Sequence, residues 1–261
     1  MFFERGQALL WGVFAVALWR GSVEARPSGE LQAVDLVRKF MRMDASSADE
    51  RTACPIIVPR RVWGARPPKS RLDMETPVPF VVLHHTYMDE CFNLDDCCKM
   101  MREIQDLHMD DRGWDDIAYS FLVGEDGRVY EGRGWDTVGS HAPWYNFRSI
   151  GISIMGNYTA KLPNKQAISA FQSIVSCAIE NNKLDANYTL YGHRQATPLR
   201  TCPGEALFEE MWSWPHWQAG DHFPPKKTGN ELEDVHAPEK NKQSVENEIP
   251  ENEIPIKMRT F

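Results

Sequence analysis

Between residues 54 and 220, apolar positions recur with the periods of strands and helices; on either side of that stretch they follow neither. Phe80 to Leu83 is a continuous apolar run with prolines upstream, which predicts a strand buried on both faces. Asp95 to Met109 places Cys97, Met101, Ile104 and His108 on one face of a helix, with Met100 and Leu107 beside them. Tyr119 to Val123 and Arg128 to Glu131, joined through Glu125-Asp126-Gly127, predict a β-hairpin that turns on Asp-Gly. Ile150 to Met155 is a second apolar, β-branched strand. Lys165 to Asn182 repeats Ile168, Phe171, Ile174, Val175 and Ala178 at helical spacing. Tyr188 to Tyr191 reads as a short strand running into His193, and Ala206 to Trp212 as a closing helix. Strands interleaved with helices put residues 54–220 in the α/β class, a central mixed sheet flanked by helices.

The flanks read differently. Arg5, the eleven apolar residues from Ala8 to Leu18, and the small residues Val23 and Ala25 form the pattern of a cleavable signal peptide over residues 1–25. That core is about half the ~20 residues a spanning helix needs, and no later apolar stretch approaches that length. A secreted, extracellular protein without a permanent membrane anchor is therefore expected. Residues 26–53 read as a polar linker with a weak amphipathic patch at Leu31, Val34, Val37, Phe40 and Met41. Residues 221–261 are rich in Glu, Asn, Lys and Pro and repeat Glu-Asn-Glu-Ile-Pro at 246–250 and 251–255. Such a composition cannot bury enough apolar surface to offset its ordering entropy, so an acidic, disordered tail is expected.

Charge narrows the partners. The net charge is −8 and no basic stripe runs through the domain, which argues against nucleic acid and anionic membrane surfaces. Six cysteines in a secreted chain ordinarily mean bridges. Cys91 and Cys97 flank a short loop and are expected to pair, while a Cys54–Cys177 bridge would tie the start of the domain to its later helix. If Cys202 is a metal ligand, Cys98 is then left over; Cys91–Cys98 with Cys97 free satisfies the count as well. Asn157 and Asn187 each begin an Asn-Tyr-Thr sequon that could carry a glycan.

The candidate chemistry sits just past the apolar runs. His84-His85-Thr86 follows the first strand, Gly192-His193-Arg194 follows the last, and Thr201-Cys202-Pro203-Gly204 comes shortly after. Two imidazoles and one thiolate are enough to hold a zinc ion with a fourth position open, the mark of a catalytic rather than a structural site. His85 is not expected to be a ligand, because adjacent residues at a strand end point to opposite faces.

These residues resemble the peptidoglycan recognition protein family, which shares its fold with phage-type zinc amidases. The similarity takes in Ile57-Val58-Pro59-Arg60, Trp63-Gly64-Ala65-Arg66, His84-His85-Thr86, Cys91 with Cys97, and Asp116-Ile117-Ala118-Tyr119-Ser120-Phe121. It continues through Tyr130-Glu131-Gly132-Arg133-Gly134-Trp135, Gly139-Ser140-His141, Gly151 to Asn157, Gly192-His193-Arg194, Cys202-Pro203-Gly204 and Trp214-Pro215-His216. The resemblance implies a zinc cofactor held by His84, His193 and Cys202, and bacterial peptidoglycan and its muropeptides as partners. The implied reaction is hydrolysis of the amide between the lactyl group of N-acetylmuramic acid and L-alanine. Family members without activity commonly carry Ser where this chain has Cys202, so the resemblance favours an enzyme over a receptor that only binds.

Other roles follow by the same matching. Tyr119 matches the tyrosine beside the metal in active members, and Thr201 or Arg200 would stabilise the developing oxyanion, Arg200 standing where phage-type relatives have lysine. Thr86, His108, Arg112, Gly113, Trp114, Tyr119, His141 and Asn146 match positions that line the peptidoglycan groove. Gly113-Trp114 is the pair that accompanies diaminopimelate stems, whereas Asn-Phe accompanies lysine stems. Arg148 lies one position from the arginine expected to pair the extra carboxylate, with Phe147 in that place. The nine residues from His193 to Cys202 exceed the family spacing by one, an excess expected to bulge out around Pro198.

Overall fold

Six strands, β1 (Ile57–Val58), β2 (Val78–His85), β3 (Phe121–Val123), β4 (Val129–Glu131), β5 (Ser149–Ile154) and β6 (Leu184–Gly192), form one mixed sheet in the order β1-β4-β3-β5-β2-β6; β3–β4 is the antiparallel pair and the other neighbours run parallel. The computed structural model describes residues 54–222. The expected signal peptide, the whole linker and all but the first two residues of the repeat-bearing tail lie outside the described residues. In chain order the elements are β1, α1 (Arg60–Trp63), β2 and α2 (Leu94–Asp106), which runs into one turn of π-helix at Leu107–Asp111. Next come β3, β4, β5, α3 (Lys165–Glu180), β6, α4 (His193–Ala196) and α5 (Glu205–Met211).

The two long helices start where the sequence can cap them. Asn93 accepts the Asp96 backbone N–H at 3.0 Å, and Asn164 accepts that of Ala167 at 2.8 Å, each satisfying one otherwise unpaired helical donor. Their apolar stripes cover opposite faces of the sheet. Phe171, Ile174, Val175 and Ala178 of α3 pack on Val81, Leu83, Ile150 and Ile152 in the larger core. Cys97, Met101 and Ile104 of α2 pack on Leu122, Tyr130 and Trp63 in the other. β2, inside the sheet and buried from Val81 to His85, puts Val81 and Leu83 into the larger core and Val82 into a separate small cluster with Ala142, Tyr145, Tyr191 and Ala196.

The bridges are Cys54–Cys177 and Cys91–Cys97, leaving Cys98 and Cys202 as buried thiols. The first spans 123 residues and clamps the start of the domain to α3; in the chain-entropy model such a closure contributes about 5 kcal/mol. The chain stays packed two residues past the expected boundary at 220. His222 stacks on Tyr191 with ring centroids 4.3 Å apart, and its carbonyl accepts the Tyr145 hydroxyl.

Candidate metal centre

Three stretches of chain meet at the end of β2. Register brings the first two together: His84 stands opposite Ser153 of β5, and Leu83 opposite Gly192 of β6, so that His193, one residue on, is level with His84. The third is the Thr201-Cys202-Pro203-Gly204 turn, closed by Gly204 N–H donating to Thr201 O at 2.9 Å. Gly204 has φ of 95°, and a Cβ there would lie 2.4 Å from the Tyr158 carbonyl, so only glycine fits. Arg194 N–H donates to Cys202 O at 2.8 Å and fastens this turn to α4. Within the nine residues from His193 to Cys202, Leu199 is 89% exposed with φ of 59°, a backbone conformation unfavourable for leucine.

His84, His193 and Cys202 are all buried, and one ligand atom from each lies within 4.8 Å of the others. His84 Nδ1 is 3.7 Å from Cys202 Sγ. Nitrogen and sulfur ligands of a tetrahedral zinc ion stand about 3.6 Å apart, so this pair already has ligand spacing. His193 Nδ1 is buried without a hydrogen-bond partner, an orphan of the kind a bound cation satisfies. Cys202 Sγ accepts the His85 backbone N–H at 3.3 Å, a bond that favours a thiolate. The donor set and its spacing fit zinc. The His85 ring faces away from this cluster, its Nδ1 accepting Tyr158 N–H at 3.3 Å.

Burial dominates the electrostatics. It drives His84 and His193 well below the usual imidazole range, helped at His84 by His193 and at His193 by the Arg200 charge. Both rings are thus neutral and offer lone pairs. Burial pushes the Cys202 thiol up to about 12, against the His85 N–H and the charges of Arg194 and Arg200. Metal uptake must therefore displace a proton from sulfur. Burial, then the Cys202 charge, raises the Tyr119 hydroxyl, which stays a donor; the Arg112 charge and contact with the Ser153 hydroxyl act the other way.

The other expected residues divide by place. The Tyr119 ring is 5.1 Å from His84 and 5.8 Å from His108. Thr86, His108 and Tyr119 line a shallow, open pocket together with Met88, Ile104 and Leu107. His108 reconciles its two readings: Nδ1 accepts the Ala118 N–H at 3.2 Å, while the ring stacks on Trp114 at 5.0 Å on the pocket side. Arg112 lies over Trp114 at 5.0 Å, and Gly113 between them is exposed. Arg200 acts electrostatically on both histidines, and Thr201 is exposed beside Cys202.

Two of the expected groove residues are turned to protein, and the exposed Arg148 lies away from the metal cluster. Asn146 Oδ1 accepts the N–H groups of His141 and Ala142. His141 is buried behind His84. Arg148 lies over Phe80 and Tyr145, and Phe80 is four residues and about 13 Å along β2 from His84. Phe147 packs into the larger core. Met88, Ser149 and Ser153 were not singled out from sequence, and Ile104 and Leu107 were read there only as part of an apolar helical face. For the two serines a signal existed: Ser149-Ile150-Gly151-Ile152-Ser153-Ile154 alternates strictly, isoleucines to the core and small residues to the site.

A protein-family model described as N-acetylmuramoyl-L-alanine amidase matches residues 74–205, about half the chain and all three candidate ligands. The chain belongs to this amidase family. Within it, peptidoglycan-recognition protein LB of Drosophila melanogaster is 42% identical over 176 residues, covering 67% of this chain and 75% of that protein. The human N-acetylmuramoyl-L-alanine amidase is 46% identical over 171 residues, 64% of this chain but 29% of that longer protein. A structure of a Drosophila PGRP-LB mutant in complex with tracheal cytotoxin superposes with a TM-score of 0.61 at 43% identity, over 62% of this chain and 96% of that one. The mixed sheet with flanking helices expected from sequence is thus the fold these peptidoglycan-recognition relatives share.

Proposed function

We propose that this protein is a secreted zinc-dependent N-acetylmuramoyl-L-alanine amidase that binds peptidoglycan fragments and cleaves the lactyl–L-alanine amide. One observation carries the reading: His84, His193 and a Cys202 that is not disulfide-bonded bring ligand atoms within 4.8 Å of one another in a buried site. The relatives support the substrate class, since one is an amidase by name and another was solved with tracheal cytotoxin. When bound, zinc supplies Lewis acidity, polarising a carbonyl and acidifying water.

The chain's own groups do the rest. The neutral imidazoles and the Cys202 sulfur hold the ion, with the His85 N–H supporting charge on sulfur. Tyr119, protonated and beside His84, donates a hydrogen bond to the negative charge that develops on the amide oxygen. Arg200 adds a cation on the same side, and Thr201 a hydroxyl. The stem runs across the shallow surface lined by Thr86, His108 and Tyr119, next to the scissile bond. Gly113-Trp114 at the rim of this surface, with Arg112 over the indole, supports a preference for diaminopimelate stems.

The test is incubation of purified protein with a muramyl tetrapeptide, with and without a chelator, followed by mass analysis. Free stem peptide that disappears with chelator is expected. Binding of the muropeptide with no release under any metal condition would leave a receptor in place of an enzyme.

A further inference from the structure

We propose that His141 and Ser149 form a one-way hydrogen-bond relay that fixes the tautomer of His84 and so sets how tightly the site takes a metal ion. The inference rests on the metal site proposed above and assigns to His141 a positioning role at the rear of that site.

His141 Nδ1 lies 3.0 Å from His84 Nε2, the nitrogen opposite the one that faces Cys202. The two rings meet edge to face, 88° apart with centroids at 5.0 Å. On its other side, His141 Nε2 is 3.5 Å from Ser149 Oγ, and Ser149 Oγ–H donates to Tyr145 O at 2.7 Å.

The direction of this chain is set at its far end. A backbone carbonyl can only accept, so the Ser149 proton is committed to Tyr145 O. Ser149 Oγ then presents lone pairs to His141, which makes His141 Nε2 the donor and His141 Nδ1 the acceptor. His84 Nε2 must in turn donate, leaving a bare lone pair on Nδ1, the nitrogen 3.7 Å from Cys202 Sγ. A carbonyl two side chains away thereby selects the ligating form of His84. Such partners fix ring orientation and tautomer at metal sites, usually as a carboxylate or carbonyl in direct contact; here a second imidazole and a hydroxyl stand between.

The seat of His141 is as specific as its bonds. A Cβ on Gly151 would fall 2.3 Å from His141 Cδ2, and one on Gly139 would fall 2.5 Å from the same atom. The imidazole fills the room that two glycines leave, and Asn146 Oδ1 holds the loop by accepting the N–H groups of His141 and Ala142 at 2.8 and 3.0 Å. Nothing in that packing depends on a ligand being present.

The test reads tautomers directly, by long-range ¹H–¹⁵N correlation spectra of the full chain at about pH 7.5, above the usual imidazole range. It is run metal-free and with zinc, alongside zinc affinity by competition with a chromogenic chelator. In the metal-free wild type, His84 and His141 are both expected to carry their protons on Nε2. His141→Leu removes the acceptor and should weaken zinc binding about 10- to 100-fold, whereas His141→Asn, which retains an acceptor near the Nδ1 position, should recover most of it. Ser149→Ala should leave the fold intact and mix the His141 tautomers. A metal-free His84 protonated on Nδ1, or His141→Leu binding zinc within about twofold of wild type, overturns the relay. Should His141→Leu fail to fold, the wild-type and Ser149→Ala spectra decide it. A wild type that takes up no zinc while showing the expected tautomers would sink the metal reading and leave the relay standing.

Discussion

Val81 and Leu83 leave one face of β2; Val82 and His84 leave the other, and the two faces meet very different surroundings. The first pair enters a core of Ile150, Ile152, Phe171 and Ile174 that is apolar and closed. On the second, past Val82, stand His84, His141, Ser149, Ser153, His193 and Cys202, every one buried. Burial stabilises the first face by about 25 cal/mol per Å² of apolar area, whereas on the second it removes imidazoles and a thiol from water. One strand therefore carries stability on one side and chemistry on the other. Changes on the two sides should be separable.

The sharpest break is Cys202→Ser. It removes the sulfur while keeping a small side chain in the turn that Arg194 and Gly204 hold. Turnover of a muramyl tetrapeptide should fall at least about a thousandfold, the equivalent of about 4 kcal/mol of lost transition-state stabilisation, with folding stability changed little. Full turnover in that variant would end the metal account. The mirror experiment is Leu83→Ala, one residue from His84 and fully buried in the other layer. It should cost about 3–4 kcal/mol in denaturant unfolding and leave zinc stoichiometry unaltered. Loss of metal binding at unchanged stability would show that the two faces are not independent.

That division was only half legible in the sequence. The apolar face announced itself through periodicity: Phe171, Ile174 and Val175 could be placed on a helix and Ile150 to Met155 on a strand, because burial selects residues at fixed spacing. Strand ends were less clear; β6 begins at Leu184, since its Asp185-Ala186-Asn187 stretch is exposed and shows no apolar pattern. The short helix α4 was hidden because its four residues are placed by the site, not by a repeat of their own. The three candidate ligands could be named because their residue types and surrounding motifs are distinctive. The position of His141 behind His84 could not, since it depends on the space above Gly151 and Gly139, which lie 10 and 2 residues away in sequence and close only in the folded sheet. The π-turn at Leu107–Asp111, which puts His108 and Met109 into the interior, also left no sequence mark.

Tyr119→Phe sharpens the comparison within the polar face. The ring stays against His84 and His108, so packing and zinc affinity should hold, and what is lost is the donor. Removing one donor to a developing oxyanion typically costs about 100-fold in kcat. A fall in zinc affinity of the same size would move Tyr119 from the reaction to the architecture of the metal site.

Acid offers the gentlest discrimination. Burial lowers His85 to about 4, with Arg194 acting in the same direction, and lowers His141 to about 3; it also depresses His84, His108 and His193. In the unfolded chain these rings titrate near 6.5, so the folded state refuses protons that the unfolded state accepts. Their neutral forms leave stability intact above about pH 6.5, and it is lost as pH falls from there toward the folded values. Each ring contributes up to about 1.4 kcal/mol per pH unit over its window. Denaturant midpoints of metal-free protein at descending pH should therefore fall steadily below neutrality. Leu83→Ala should lower the whole curve without changing its slope, because its loss is apolar, whereas His141→Asn should flatten it by one ring's share. A slope unchanged in His141→Asn would mean that this imidazole takes its proton within the fold, leaving His84 and His193 to carry the acid sensitivity of the polar face.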